Sequence, residues 1–463
     1  MLNAEAPDRK PQGSVVRSAR WTFGRILWLG DAIITILSVL FSKTGLVAVA
    51  LVLLLAAAFC GWIETPLQGV IRGYAYRLSG EVTLSDALTN PPRLLSFALP
   101  CLLGAGLTIG GIIWKRHWLP RHAGAALFVV VLFFPIGLIS YNPVLVEAVV
   151  NQNNEREAIL RFASIVDAYS ATLFPIELRG TATLPARAAT VLKVLGYGWW
   201  FALIGAGILL VPGVVGAGRT RPLRFVGGWG GVMLLILVVV SAPAVMSEYY
   251  RLNGERVYAR GQYGEALTQF RKSIGWAPGL RENSDFQYRV GAALFWMGDD
   301  ASPLARFFLA QNLRRQGEFE KAELQLTLAL ANDPHWKLAR RTLAELNAAW
   351  GVQHFREEES GAISRWEQAL TLDESLQRTS YYLARAYYEL DGRDQSRAIA
   401  HAMHMIARTH DRGILSDVYG LLGDSYFKAH MDVEARKAYR TSLTIVLNVK
   451  KRNLQAQKGL LGL

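Results

Sequence analysis

The chain has 463 residues, 51% hydrophobic and 19% charged, with a mean hydropathy of +0.19. That is too apolar for an ordinary soluble protein, and the length sets an expectation of two or three domains. The formal charge of +13 resolves into +9 over residues 1–246, zero over 247–447 and +4 over 448–463, so the excess lies beside apolar runs and at the C-terminus. No basic groove is implied, and nucleic acid is not an expected partner.

In chain order, residues 1–25 form a polar, basic arm with Arg9, Lys10, Arg17, Arg20 and Arg25 against Glu5 and Asp8. Residues 26–41 are apolar except for Asp31, Thr35 and Ser38, whose spacing puts them on one helical face. Sixteen residues with a polar stripe read as an amphipathic helix on the membrane surface, with a spanning helix as the alternative. No small-residue cleavage site follows, so a cleavable signal peptide is not expected.

Five stretches are long enough to span a bilayer: 45–63, 94–114, 123–140, 195–215 and 225–245. The connections at 115–122 and 219–224 each carry +3, as does the N-terminal arm, whereas 64–93 and 141–194 are balanced. Because Lys and Arg collect on the cytoplasmic side, this alternation predicts a cytoplasmic N-terminus and an outward-facing segment after Val245. In a bacterial inner membrane, that segment would be periplasmic. Trp62, Trp114, Tyr141, Tyr197, Trp199 and Trp200 sit near span ends, where interfacial aromatics are expected. Small-residue steps at Gly106–Gly110, Ala202–Ala206 and Gly227–Gly231 suit close helix packing and also offer a homo-oligomer contact. No span carries a charge in its interior, which argues against a transporter. Cys60 and Cys101 lie in apolar runs and read as packing residues. The outer connection 141–194 has helical periodicity over 144–171, with a break expected at Asn151-Gln-Asn-Asn154 and irregular structure at Pro175, Gly180 and Pro185. One or two short helices are predicted there, packed under the domain that follows.

From Ser247 the chain repeats itself. Gly261-x-Tyr263-x-x-Ala266-x-x-x-Phe270 closes at Pro278, and Gly317-Glu-Phe319-Glu-Lys-Ala322-x-x-x-Leu326 closes at Pro334. Tyr419-x-x-Leu422-Gly423-Asp-x-Tyr426 leads to Ala435-x-x-x-Tyr439. Residues 247–447 thereby resemble the tetratricopeptide repeat, a helix–turn–helix unit that stacks into an α-solenoid. Residues 284–298 read as a lone or distorted helix between good units. The unit at 338–374 has Glu374 where a proline is usual, and the unit at 378–410 shows no clear second-helix alanine register. Fold class is therefore all-α: a five-span helix bundle, a repeat domain over 247–447, and a basic tail over 448–463.

No catalytic motif or phosphate-cradling loop is present, so neither an enzyme nor a cofactor is expected. His401-Ala-Met-His404 has helix-face spacing but no carboxylate or thiol nearby to complete a metal site. The resemblance implies a concave face lined by first helices. Mapped onto this chain, it gives Arg251, Tyr258, Arg314, Arg315, Tyr381, Arg385, Tyr388, Phe427 and Lys428. Arg and Tyr are common at binding hot spots. The reading is a membrane scaffold or assembly factor whose outward repeat domain binds a protein or peptide of an envelope complex near the bilayer. The alternatives are a non-catalytic subunit of a polysaccharide or other polymer synthesis or export machine, its repeats contacting glycan, and, less favoured, a transporter.

Overall fold

The computed structural model describes residues 42–67, 69–72, 98–116, 118–141, 145–160, 183–211, 222–355, 359–389 and 395–460. The basic arm, the helix expected at 26–41 and the segment 161–182 lie outside the described residues.

The first half contains α1 (Lys43–Phe59), a hairpin of β1 (Gly61–Thr65) and β2 (Gly69–Arg72), then α2 (Ala98–Ile113), α3 (Trp118–Tyr141), α4 (Leu145–Leu160), α5 (Leu184–Val194), α6 (Tyr197–Leu210) and α7 (Pro222–Ala259). One apolar core joins α1 through α6, with Leu54, Cys101, Val131, Val191, Ala202 and Ala206 all essentially buried. Small residues permit the approach. A Cβ on Gly205 would sit 3.1 Å from the Leu54 side chain, and one on Gly124 would meet Leu209 at 2.6 Å. Of the small-residue steps, Ala202–Ala206 is buried in this contact, whereas Gly106 and Gly231 face open space.

The described apolar helices fall on the five stretches expected, but with different ends. Trp118–Ser140 and Gly228–Ala259 are long and apolar enough to cross a membrane. Helices α1, α2 and α6 have 17, 16 and 14 residues. At about 1.5 Å per residue they rise roughly 21–26 Å, short of a roughly 30 Å hydrocarbon core. The stretch 45–63 is not one helix. It ends at Phe59, and β1 pairs antiparallel with β2, so the fold is not purely α. Trp62 and Ile63 favour the extended state and are buried there, and the Trp62 carbonyl accepts from Gly196 N at 2.9 Å. The aromatic belt is also divided. Trp62 and Trp199 are buried, donating to Ala57 O and Val131 O, whereas Trp114, Tyr197 and Trp200 are exposed.

The boundary at 246/247 is continuous helix. The last apolar stretch and the first repeat helix are both α7, 38 residues long. The repeat half continues with α8 (Tyr263–Trp276), α9 (Ser284–Trp296), α10 (Pro303–Arg315), α11 (Phe319–Asn332), α12 (Lys337–His354), α13 (Glu359–Leu372), α14 (Gln377–Glu389), α15 (Gln395–Arg408), α16 (Arg412–Lys428) and α17 (Asp432–Leu460). Antiparallel neighbours pair as the C-terminal part of α7 with α8, α10 with α11, α12 with α13, α14 with α15, and α16 with α17. Helix α9 stands between the first two pairs, where the lone helix was expected. Helix α17 runs on through most of the basic tail.

Close approach within pairs has one recurring cause. A glycine on the first helix faces an aromatic ring on the second. A Cβ on Gly254 would lie 2.5 Å from Phe270, one on Gly351 2.5 Å from Trp366, and one on Gly423 2.6 Å from Tyr439. The unit at 378–410 does carry a second-helix register, in Ala398, Ala402 and Met405 of α15, all fully buried. Its Ala-x-x-x-Ala-x-x-Met spacing lacks the aromatic seen elsewhere, which hid it. Where Glu374 replaces proline, Asp373 Oδ1 accepts from Ser375 N at 2.9 Å and makes the turn, as Asp333 does for His335 N beside Pro334.

Candidate partner-binding face

The first helices of successive pairs form the inner face of the repeat half, and much of that face is filled by the chain itself. Helix α4 packs against α14 and α16, and also against α5 of the first half. It runs unbroken through Asn151–Asn154, where a break was expected. Asparagine is only a weak helix breaker, and packing on several sides overrides its preference. Leu145 and Val149 belong to the core of the first half, while Ile159 belongs to the repeat core beside Tyr381, Tyr382 and Ile414. Leu67 of the hairpin turn enters the same repeat core, and its carbonyl accepts from His410 N at 2.8 Å.

The polar side of α4 is matched to the inner face. Glu147 Oε2 accepts from Ser284 N at 2.8 Å, at the first residue of α9. Arg156 Nε pairs with Asp411 Oδ2, the N-cap of α16, at 2.7 Å. Glu155 is buried under the influence of Arg378 and Arg341. Burial pushes the Glu155 carboxyl up to about 7 and that of Glu147 up to about 6, against the pull of these partners. Nearby, burial holds the Arg314 guanidinium below its usual range although Glu345 lies 3.5 Å away.

A second joint lies at the foot of the repeat half. Arg187 of α5 is fully buried, donates to Ile139 O at 3.2 Å and sits 3.8 Å from Glu248. Glu248 receives Arg251 at 2.7 Å, Arg251 also pairs with Glu255, and Arg289 reaches Glu255 at 2.6 Å and Asp285 at 3.6 Å. The chain of charges therefore runs from α5 through α7 to α9. Burial holds the Arg187 guanidinium below its usual range, with Glu248 opposing.

Beside this joint a cavity of about 410 Å³ opens on the inner face, lined by Glu255, Tyr258, Phe270, Ser284, Asp285, Tyr288, Arg289, Ala292, Gln311 and Arg315. Arg315 lies over the Tyr288 ring at 4.9 Å and donates to its hydroxyl at 3.3 Å, and that hydroxyl donates to Asn312 Oδ1 at 2.8 Å.

The nine residues mapped from the sequence do not form one surface. Tyr258 and Arg315 line the cavity. Arg251, Arg314 and Tyr381 are occupied inside the structure, the first two in ion pairs and Tyr381 at 1% exposure in the repeat core. Arg385, Tyr388, Phe427 and Lys428 cluster at the C-terminal ends of α14 and α16. Lys428 Nζ lies 4.0 Å over the Tyr388 ring and donates to Tyr388 O at 2.7 Å, Arg385 Nε donates to Tyr381 Oη at 3.4 Å, and Phe427 is 64% exposed. His401 stacks on Tyr387 at 6.0 Å, and His404 Nδ1 lies 3.2 Å from Ser380 Oγ. Sequence reasoning missed Tyr288, Arg289 and Gln311. Their one signal was position, on the helices either side of the 300–302 turn.

Stacked antiparallel pairs with small residues in the crossings make the second half a tetratricopeptide-like repeat domain, covering under half of the chain. No family model matches the chain, and no curated protein matches it. Among solved structures it is similar to the crystal structure of MamA, at 18% identity over 43% of this chain and 96% of that one, with a TM-score of 0.23. A second MamA structure matches at 17% identity over 44% and 94%, also with a TM-score of 0.23. A thermophilic TPR protein of Thermus thermophilus matches at 17% over 46% and 99%, with a TM-score of 0.21.

Proposed function

We propose that this chain is an integral membrane scaffold: its five apolar helices cross the bilayer, and its repeat domain, held outside the cytoplasm, binds a protein partner in an envelope complex. The observation that carries this reading is α7. Only 11% of its apolar window is buried, and Leu234 and Leu235 are 63% and 65% exposed. A helix this apolar and this uncovered is unstable in water and suited to lipid. The same helix continues without a break into the first repeat pair. The shorter helices α1, α2 and α6 share one core with α3, which supports their crossing together. The alternating charge of the connections supports a cytoplasmic N-terminus, and for a bacterial inner membrane a periplasmic repeat domain.

Two measurements test this. A reporter active only outside the cytoplasm, fused after Leu447, should be active, and silence there overturns the topology. A photo-crosslinker at Tyr388 should capture a protein in cells, and capture of glycan or lipid alone overturns the scaffold reading.

A further inference from the structure

The inner face has two parts in different states. At α14 and α16 it is taken by α4, whose Ile159 is buried in the repeat core while Leu145 and Val149 anchor the same helix in the core of the first half. A partner binding there would have to expose Ile159 and break the Arg156–Asp411 ion pair. A partner is thereby excluded from the part that α4 covers, but not from its rim at Tyr388 and Phe427, where Phe427 is 64% exposed. What also remains open is the cavity among α7, α8, α9 and α10, immediately past the N-terminal end of α4, where Glu147 meets Ser284.

The chemistry of the cavity is asymmetric. Its two carboxylates are both engaged: Glu255 by Arg251 and Arg289, Asp285 by Arg289. Its other guanidinium, Arg315, has no carboxylate within 4.0 Å among the described residues, is exposed at the rim, and is held in place by the ring and hydroxyl of Tyr288. Phe270 and Ala292 add apolar walls, both buried, and Tyr258 and Tyr288 add aromatic ones. The volume of about 410 Å³ takes a large side chain and its flanking backbone. An apolar pocket with one fixed, unneutralised cation at its mouth selects an apolar group next to an anion. The adjoining Glu147 contact shows that this end of the face already accepts a carboxylate.

We infer that this cavity is the site at which the repeat domain recognises its partner, and that the recognised element is an acidic peptide segment in which an aromatic side chain enters between Tyr258 and Ala292 while a neighbouring carboxylate pairs with Arg315. This rests on the scaffold reading and specifies where and what it binds. The test uses the full chain in lipid nanodiscs and three blocked, fluorescently labelled peptides, Gly-Glu-Phe-Glu-Gly, Gly-Lys-Phe-Lys-Gly and Gly-Glu-Ala-Glu-Gly, followed by anisotropy. The Glu-Phe-Glu peptide should bind at least about tenfold more tightly than either of the others. Arg315→Glu, on an exposed side chain, should abolish that preference and favour the Lys-Phe-Lys peptide. Gln311→Trp, which fills the cavity from a half-buried position, should weaken binding about tenfold or more. Equal binding of all three peptides, or indifference to both substitutions, overturns the inference. So does binding of a soluble oligosaccharide that Gln311→Trp blocks while the peptides do not compete. If Tyr388 crosslinks to a protein but the peptides ignore the cavity, this site assignment falls while the scaffold reading stands. If the crosslinker yields no protein either, both fall.

Discussion

At residue scale, the glycine–aromatic crossings and the turn after each first helix set what the repeat half tolerates. A Cβ on Gly351 would meet the Trp366 ring, whose Nε1 donates to Ala348 O at 3.1 Å, and the Ala362 carbonyl at 3.0 Å. Trp366 is fully buried and cannot retreat. Gly351→Ala should therefore destabilise the α12–α13 pair by about 1–3 kcal/mol, read as faster hydrogen exchange in those helices of the full chain. The first helices α7 and α10, and the lone helix α9 between their pairs, are followed by Gly261, Gly317 and Gly298 at φ of 78°, 80° and 88°. The equivalent turn after α16 has His430 at φ 58°, a left-handed conformation that is costly for a side chain with a Cβ. His430→Gly should stabilise α16–α17 by about 0.5–1 kcal/mol, measured in the same way, and a loss of protection would show that the histidine makes a compensating contact.

At element scale, α4 decides how the two halves communicate. Both carboxyls rise from 4.5, Glu147 to about 6 and Glu155 to about 7, because burial penalises their charged forms. Around Glu155 stand Arg378 and Arg341, which favour ionisation, and Glu345, Asp373 and Tyr382, which oppose it or are themselves disfavoured as anions. With folded values above the undocked ones, the docked helix binds more protons between about pH 4.5 and 7. Docking is therefore strongest below about 4.5 and weakens as pH rises through 6 to 7, by roughly 3 kcal/mol for a shift of this size. Protection of residues 145–160 against exchange, corrected for intrinsic rates, should fall from pH 5.5 to pH 8. Glu155→Gln should flatten that fall and leave α4 better protected at pH 8; an unchanged pH profile in Glu155→Gln would assign the effect elsewhere. A helix packed under the repeat domain was legible in the sequence, but its unbroken run through Asn151–Asn154 and its buried carboxylates were not. The apolar residues of α4 serve two cores, Leu145 and Val149 one and Ile159 the other, so they form no single stripe. Its carboxylates look like surface charges until their partners, more than a hundred residues away, are in place. The hairpin at 61–72 was hidden for a related reason, because its apolar strand continues an apolar helix without a change of composition. The repeats, by contrast, were readable because Ala266, Ala322 and Ala435 mark crossings within single units, and local spacing alone records them.

At the scale of the whole molecule, two struts join the halves. Helix α7 is a continuous rod from the apolar half into the repeats, and α4 braces the inner face from the other side. The charge ladder from Arg187 to Asp285 fixes the foot of the rod, since α5 and α9 are both attached to α7 through Glu248, Arg251 and Glu255. A single helix can bend about its axis, whereas two supports on different faces define an orientation. The open cavity then points in a set direction relative to the membrane half, and a partner must approach from there. Spin labels at Leu192 and Val433, which are 66% and 77% exposed in the two halves, should give a narrow distance distribution. Ile159→Glu places a charge in the repeat core and should release the α4 brace, broadening the distribution while α7 still holds the mean. Adding four glycines after Ser247 should broaden it further, because the rod is then interrupted at the ladder. If Ile159→Glu leaves the width unchanged, α4 carries no load and α7 alone sets the orientation. In that case the pH dependence of α4 docking should have no effect on how the cavity is presented to its partner.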